Sequence, residues 1–283
     1  VTTVRTRDGR ELFLTKRPGP SGNTAPTVVF EGGLAASRSY WALVQPEVAK
    51  SADAVAYDRS GLGRSAPDPA PRNLQRLADD LNELLDGLGA GPFVLVGHSW
   101  GGLIVRVAAA AKPDRIAGLV LVDATDEACD LLFHPSVRRA EKIGQRGSMV
   151  LARLGLLGVA FRKLTAALPP AEAADMRKEG YTVAAMRTRR AELGSVFADL
   201  TELLDHPLDL AAIPTTVISA GQPSMGINAQ ALEAIKASHK HRAAESTQGR
   251  HVLADHAGHM VPIDAPAIIV AEIERLIREL PDR

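Results

Sequence analysis

The pentapeptide Gly97-His98-Ser99-Trp100-Gly101 is where the chemistry of this chain is most legible. It follows a continuous apolar run at residues 93–96 and precedes an apolar stretch at residues 103–111, so it reads as a G-x-S-x-G turn between strand and helix. A serine squeezed into such a turn takes strained backbone angles, and glycines two positions away let neighbouring backbone approach without clash. Its hydroxyl then stands above the sheet, where the dipole of the following helix favours negative charge. A serine hydroxyl is a weak nucleophile until a neighbouring base accepts its proton, so a histidine is required.

Eight histidines are available. His98 is pinned in the turn and is expected to support packing. His239 and His241 fall in a polar, basic stretch expected to be a solvated helix end. His134 and His206 lie in or beside a long helical stretch, and His251 sits inside a strand pattern. His256 and His259 share the loop after the last strand, at the end of the sheet where Ser99 lies. Neither belongs to a helical H-E-x-x-H, and Pro262 discourages a helix through the pair, so no metal is expected. Gly61-Leu62-Gly63-Arg64-Ser65-Ala66 formally fits a dinucleotide fingerprint, but that fingerprint needs a helix opening at the glycines. Pro67, Pro69 and Pro71 follow instead, and no cofactor is expected.

The elements that must position these groups alternate between β-rich runs and helical patterns, the signature of βα units around a largely parallel sheet. Residues 1–7 and 11–16 read as an edge hairpin around Asp8-Gly9-Arg10. Strand patterns follow at 27–30, 54–57, 93–96, 116–122, 215–219 and 250–254. Helical patterns occupy 73–88, 103–111 and 267–280. Residues 124–212 break the rhythm: they are helical in character, and an insertion of this size most simply forms a helical cap over the strand ends. The expected organisation is therefore a core of residues 1–123 and 213–283 with a cap of 124–212.

Here the chain resembles the α/β-hydrolase family over essentially its whole length. Beyond the serine turn, Phe30-Glu31-Gly32-Gly33-Leu34 stands where that family has its His-Gly-x loop, with Gly32 in place of the usual histidine. Residues 56–65, running through Asp58, Gly61, Gly63 and Ser65, are similar to its Asp-x-x-Gly-x-Gly-x-Ser segment. Ala257-Gly258-His259-Met260-Val261-Pro262 is similar to its Gly-His loop. The resemblance implies an α/β-hydrolase fold: a mostly parallel central sheet flanked by helices, with a helical cap inserted after the sixth strand. It implies Ser99 as nucleophile and His259, rather than His256, as base. It implies the backbones of Leu34 and Trp100 as oxyanion donors, with Gly33, Trp100 and residues of the cap bordering substrate. The Trp100 side chain is expected to pack beside the nucleophile.

One departure concerns the acid. The family usually places Asp or Glu after the strand at 215–219, but Ala220-Gly221-Gln222-Pro223-Ser224-Met225-Gly226 holds no carboxylate. Certain lipases and dehalogenases of the family take the acid from the end of the preceding strand, which here is Asp123. The order Ser99, Asp123, His259 also follows the family. Glu233 and Asp126 are the fallbacks.

Bulk composition sets outer bounds. The chain has 283 residues, 46% of them hydrophobic, enough for a sizeable core. Lys+Arg and Asp+Glu are both 33, which gives no electrostatic reason to expect nucleic acid or an anionic membrane as partner. Cys129 is the single cysteine, expected as a small buried hydrophobe, and its isolation fits a reducing compartment. Residues 1–5 lack the apolar core of a secretion signal, and no uncharged stretch reaches the ~20 residues of a membrane span. A cytoplasmic protein is expected. Residues 151–164 have the composition of a membrane-surface segment, but Gly155 and Gly158 favour a cap helix turning its apolar face to the pocket. Met176, Tyr181 and Met186 suit pocket or core equally, and Arg187, Arg189 and Arg190 are expected to be a solvated face.

The activity implied is hydrolysis of a small-molecule carboxylic ester, or a lactone, through an acyl-serine intermediate. C–C bond hydrolysis, haloperoxidase-like chemistry or amidase activity would use the same three residues. A non-catalytic ligand-binding protein is the alternative of another class, which the missing carboxylate after Ser219 keeps open.

Overall fold

The computed structural model describes residues 2–224 and 226–280; Val1, where the expected hairpin begins, lies outside the described residues. Eight strands form one sheet: β1 (Thr3–Arg5), β2 (Glu11–Arg17), β3 (Thr27–Glu31), β4 (Ala54–Tyr57), β5 (Phe93–His98), β6 (Ile116–Val122), β7 (Thr215–Ala220) and β8 (Gly249–Ala254). Their spatial order is β1-β2-β4-β3-β5-β6-β7-β8. The β1–β2 hairpin is antiparallel and borders β4 antiparallel; every pairing from β4 to β8 is parallel. All the parallel strands therefore end at one edge, and the loops leaving β3, β4, β5, β6 and β8 emerge side by side.

Helices α1 (Gln45–Val48), α2 (Leu74–Leu88) and α3 (Trp100–Ala111) occupy the first half. Between β6 and β7 come α4 (Pro135–Arg153), α5 (Leu157–Ala160), α6 (Arg162–Ala166), α7 (Pro170–Asp175), a π-helical turn at Met176–Gly180, and α8 (Val183–Asp205). The chain closes with α9 (Ala229–Ala244), α10 (Val261–Asp264) and α11 (Pro266–Glu279). Two apolar layers sandwich the sheet, because alternate strand residues point to opposite faces. Val29, Val55, Leu95 and Leu119 join the leucines of α2 and the apolar face of α3. Val28, Ala54, Val94 and Val120 join Trp41, Val48 of α1 and Ile269, Ile273 and Leu276 of α11. Asn73 caps α2 by accepting the Arg76 N–H, which starts that helix where the leucine spacing begins. No helix of the described residues is long and apolar enough to cross a membrane.

Ion pairs join the helical segment between β6 and β7 to the rest of the chain. Arg38 reaches Asp175 at 2.5 Å and Glu179 at 2.8 Å, and Arg64 reaches the same two carboxylates. Arg59 and Arg72 both bind Glu192 of α8. A separate buried cluster anchors the loop leaving β6. Arg106 of α3 donates two 2.6 Å bonds to Glu127, and Arg242 of α9 bridges Asp126 and Glu127.

Removing one partner of such a pair strands its mate, which costs more than the pair is worth. Arg106→Met is therefore expected to lower the free energy of unfolding by roughly 3–5 kcal/mol in urea titrations. An unchanged midpoint would show that Arg242 alone satisfies Glu127.

Candidate active site

Ser99 sits between the last residue of β5 and the first of α3, with φ 53° and ψ −123°. That left-handed conformation costs a non-glycine residue about 1–3 kcal/mol and persists only where its surroundings fix it. Here they do. The Ser99 N–H donates to the Val122 carbonyl at 3.1 Å, and the Ser99 carbonyl accepts from Gly102 and Thr125 at 3.0 Å each. Gly97 and Gly101 supply the clearance. A Cβ on Gly97 would lie 2.5 Å from the Gly101 carbonyl oxygen, and one on Gly101 would lie 2.5 Å from that of Glu31.

The parallel register pairs His98 with Val122, so the next residues along, Ser99 and Asp123, leave the sheet as neighbours. Asp123 also has a positive φ, 39°. Its Oδ2 lies 2.6 Å from His259 Nδ1, and His259 Nε2 lies 3.1 Å from Ser99 Oγ. The sequence-predicted serine, histidine and carboxylate thus come together in one chain of hydrogen bonds. Its other Asp123 oxygen, Oδ1, accepts the Ala220 N–H at 2.9 Å, at the strand end where the family would carry its acid. Burial opposes ionisation of Asp123, but the bonds from His259 and Ala220 outweigh it and hold the carboxyl below its usual range. Asp123 is buried, whereas Ser99 and His259 are part-exposed. With a carboxylate on one ring nitrogen and a hydroxyl on the other, the imidazole is placed to take and return a proton.

His98 steadies this arrangement from below. Its Nε2–H donates to the His259 carbonyl at 2.8 Å, fixing the backbone that carries the imidazole. Burial and the neighbouring His259 push its pKa down to about 3, so the ring stays neutral.

The loop after β3 passes directly over the serine turn. A Cβ on Gly33 would meet Ser99 Cβ at 3.0 Å, so a side chain there would crowd the hydroxyl. Among the described residues, neither the Leu34 nor the Trp100 N–H donates to a protein acceptor, leaving both available to a ligand oxygen. Sequence reasoning missed what holds this loop. Arg59, buried at the end of β4, donates to the carbonyls of Gly32 at 2.6 Å and Gly33 at 2.7 Å. It also pairs with Glu31 at 2.5 Å and with Glu192 at 2.9 Å, while Tyr57 donates to the second Glu31 oxygen. Charged residues at adjacent ends of apolar strands, Glu31 and Arg59, were a readable signal of a buried pair. Glu192, within a polar helix, gave none.

Other expectations fare unevenly. Cys129 is buried, and Trp100 packs in the core beside the turn. Glu233 pairs with Lys236 and Asp126 with Arg242, so neither fallback carboxylate reaches His259. His241 is exposed, but His239 is not at a solvated helix end. It is fully buried, bonded to Ser219 at 2.8 Å and to the Ala124 carbonyl at 2.7 Å, because that face of α9 lies against β7. Arg187 and Arg190 are solvated as expected, whereas Arg189 is half-buried and donates to Gln145. Met176 and Met186 lie in two small apolar clusters that the helical segment shares with Ala42 and Ile263 and with Leu62, and Tyr181 packs against both. Residues 151–164 do not form one pocket-facing helix. Gly155, at φ 69°, breaks it, and Leu154, Leu156 and Val159 face solvent. No group of three metal-binding side chains occurs among the described residues. No helix starts after Gly61 and Gly63 until Leu74, as the prolines required.

A mostly parallel sheet with a strained serine at a central strand end defines a class, the hydrolases of the α/β type. A family model of the alpha/beta hydrolase fold matches residues 26–266, and the chain belongs to that family. RutD of Klebsiella pneumoniae, a proposed carbamate hydrolase, is 32% identical over 136 residues, 48% of this chain and 48% of its own. The lipase LipV of Mycobacterium tuberculosis is 40% identical over 110 residues, 38% of this chain and 40% of its own. The chain thus spans less than half the length of these curated relatives. An esterase from Thermogutta terrifontis is 21% identical and superimposes with a TM-score of 0.68 over 99% of this chain and 97% of its own, a likeness of fold.

Two expected outcomes follow from this packing. Gly101→Ala drives a methyl group into backbone that cannot yield and is expected to lower stability by about 1–3 kcal/mol, measured by denaturant titration. For His98, the unfolded ring protonates near the ordinary histidine value of 6.5 while the folded ring resists until about 3, so stability falls as pH drops through that window. The advantage of wild type over His98→Gln is expected to shrink by about 1.4 kcal/mol per pH unit there. Parallel pH profiles would disprove the neutral buried ring.

Proposed function

We propose that this protein is a serine hydrolase that cleaves carboxylic esters, lactones included, through an acyl-serine intermediate. The observation that carries this reading is the continuous bonding from Asp123 Oδ2 through His259 to Ser99 Oγ, at 2.6 and 3.1 Å. His259 takes the Ser99 proton as the hydroxyl oxygen attacks the ester carbonyl. The Leu34 and Trp100 N–H groups then receive the negative charge that develops on the carbonyl oxygen, each worth about 3 kcal/mol of barrier. Collapse of the tetrahedral intermediate expels the alcohol, which collects the proton from His259. Water enters, gives a proton to the same imidazole, attacks the acyl-serine, and regenerates Ser99 with release of the acid. Asp123 holds the Nδ1–H tautomer throughout and stabilises the imidazolium.

The helices of residues 124–212 are the cap in this reading. Ala35, next to the proposed donor Leu34, packs against an apolar cluster that includes Met186 and Leu157 of that segment. An apolar cluster therefore lies one residue from the proposed donor, which suits an apolar acyl group. The identity of the nucleophile argues against epoxide opening. An aspartyl alkyl ester is hydrolysable, but a serine would be left as an unreactive ether.

A fluorophosphonate probe is expected to label the wild type and not Ser99→Ala. Asp123→Asn is expected to lower kcat on p-nitrophenyl esters by about 10²–10⁴-fold with little change in KM, since the wrong tautomer then faces the serine. Absence of labelling in the wild type would leave the ligand-binding alternative, and near-normal turnover in Asp123→Asn would remove that residue from the mechanism.

A further inference from the structure

Charge is not spread evenly over this neutral molecule. Every arginine between Arg38 and Arg76 is ion-paired. Along α4, by contrast, Arg138, Arg139, Lys142, Arg146 and Arg153 are accompanied by one carboxylate, Glu141. None of these five cations makes an ion pair among the described residues, and nor do Arg187 and Arg190, which face α4 across a concavity of about 780 Å³. That concavity is lined by no residue of the Ser99 site, and its walls include Met149, Val150, Leu193 and Phe197.

Exposed apolar side chains are concentrated in the same segment of the chain. Seven of the eight large hydrophobic residues that face solvent lie between Ile143 and Leu204. Ile143, Val150 and Leu154 are 58%, 52% and 64% exposed. At 3.6 residues per turn these three share an arc of about 120° with Arg139, Lys142, Arg146 and Arg153. Leu156 and Val159 continue the exposed apolar surface beyond the helix end. An outward helical face that mixes long cations with aliphatic side chains has the composition of an element lying in a lipid headgroup layer.

We infer that this face, α4 with the segment 154–159, docks the protein onto an anionic lipid surface. The aliphatic side chains enter the headgroup boundary while the unpaired cations bind lipid phosphates. A second copy of the chain is a poor occupant, because pairing two such faces opposes cation to cation. An acidic protein is a poorer one than lipid: protein interfaces draw on aromatic anchors, and the exposed apolar residues here are aliphatic apart from Phe197. The zero net charge conceals the site because the balancing carboxylates lie elsewhere in the chain. This inference stands apart from the proposed ester chemistry.

Sedimentation with sucrose-loaded vesicles tests it on the full chain. Binding is expected to vesicles of phosphatidylcholine mixed with phosphatidylglycerol, not to phosphatidylcholine alone, and to weaken with salt. Arg146→Gln with Arg153→Gln is expected to lower the partition coefficient roughly twenty-five-fold, about fivefold per cation. Leu154→Ser with Val150→Ser is expected to weaken binding at all salt concentrations. Arg278→Gln, remote on α11, is expected to change nothing. Turnover of a soluble short-chain ester and the melting temperature are expected to be the same in all variants. No binding to the anionic vesicles, equal loss with Arg278→Gln, or a dimer that Leu154→Ser dissociates would overturn the inference. So would equally tight binding of polyglutamate that is insensitive to Leu154→Ser.

Discussion

The arrangement at Ser99 depends on a loop held from two sides. On one side the backbone of Gly101 lies so close to the Glu31 and Gly32 carbonyls that no side chain fits between them. On the other, the Arg59 guanidinium binds the Gly32 and Gly33 carbonyls. Those carbonyls point to Arg59, so the peptide planes of the loop are set by a charged, planar, five-donor group rather than by loop sequence alone. A fully buried guanidinium is tolerable because Glu31 and Glu192 neutralise it and accept its remaining bonds. Glu192 belongs to α8, so the helical segment contributes directly to the geometry of the loop. A shift of α8 would unpair Arg59 before it touched Ser99.

Register accounts for the position of Asp123. In a parallel sheet, adjacent strands ending at the same height present their next residues as neighbours, and β5 and β6 do so with Ser99 and Asp123. The Asp123 N–H continues the ladder to the Ile218 carbonyl at 2.7 Å, and its side chain takes the Ala220 N–H. The carboxylate is thus bound by backbone on the β7 side and by imidazole on the other. A carboxylate after β7 would approach the same histidine and leave the Ala220 N–H to find another acceptor.

The fold was legible because its signals are local. Apolar runs marked the central strands, bounded by proline and glycine at β3, β5 and β7, and leucine spacing with Asn73 marked α2. Ser99, His259 and Asp123 were legible because each sits at a strand end or in the loop beyond one, where chain order and strand order suffice to bring them together. What was not legible depends on contacts between distant segments. His239 reads as polar because its neighbours in sequence are polar, and its burial comes from one face of α9 meeting β7 and the β6 exit. Arg189 and Glu192 lie on one helix with Arg187 and Arg190, and only packing against α4 and the core separates buried from solvated positions. The break at Gly155 was visible as a weakness but not as a left-handed residue that turns Leu154 and Leu156 outward.

Charge pairing divides the molecule by mechanical role. Where segments must stay fixed relative to Ser99, each arginine carries a carboxylate across the seam: Arg38 and Arg64 to Asp175 and Glu179, Arg59 and Arg72 to Glu192. These seams join the helical segment to the strand-end loops, and several of the groups are buried, where an unmatched charge would be intolerable. On the outer side of α4 water solvates the cations, and folding requires no carboxylates to match them. A sequence with equal numbers of acids and bases can therefore fold into one face that is fully compensated and another that is strongly positive. Along the seams the acids stand where desolvation makes them necessary, and along α4 only Glu141 accompanies five cations.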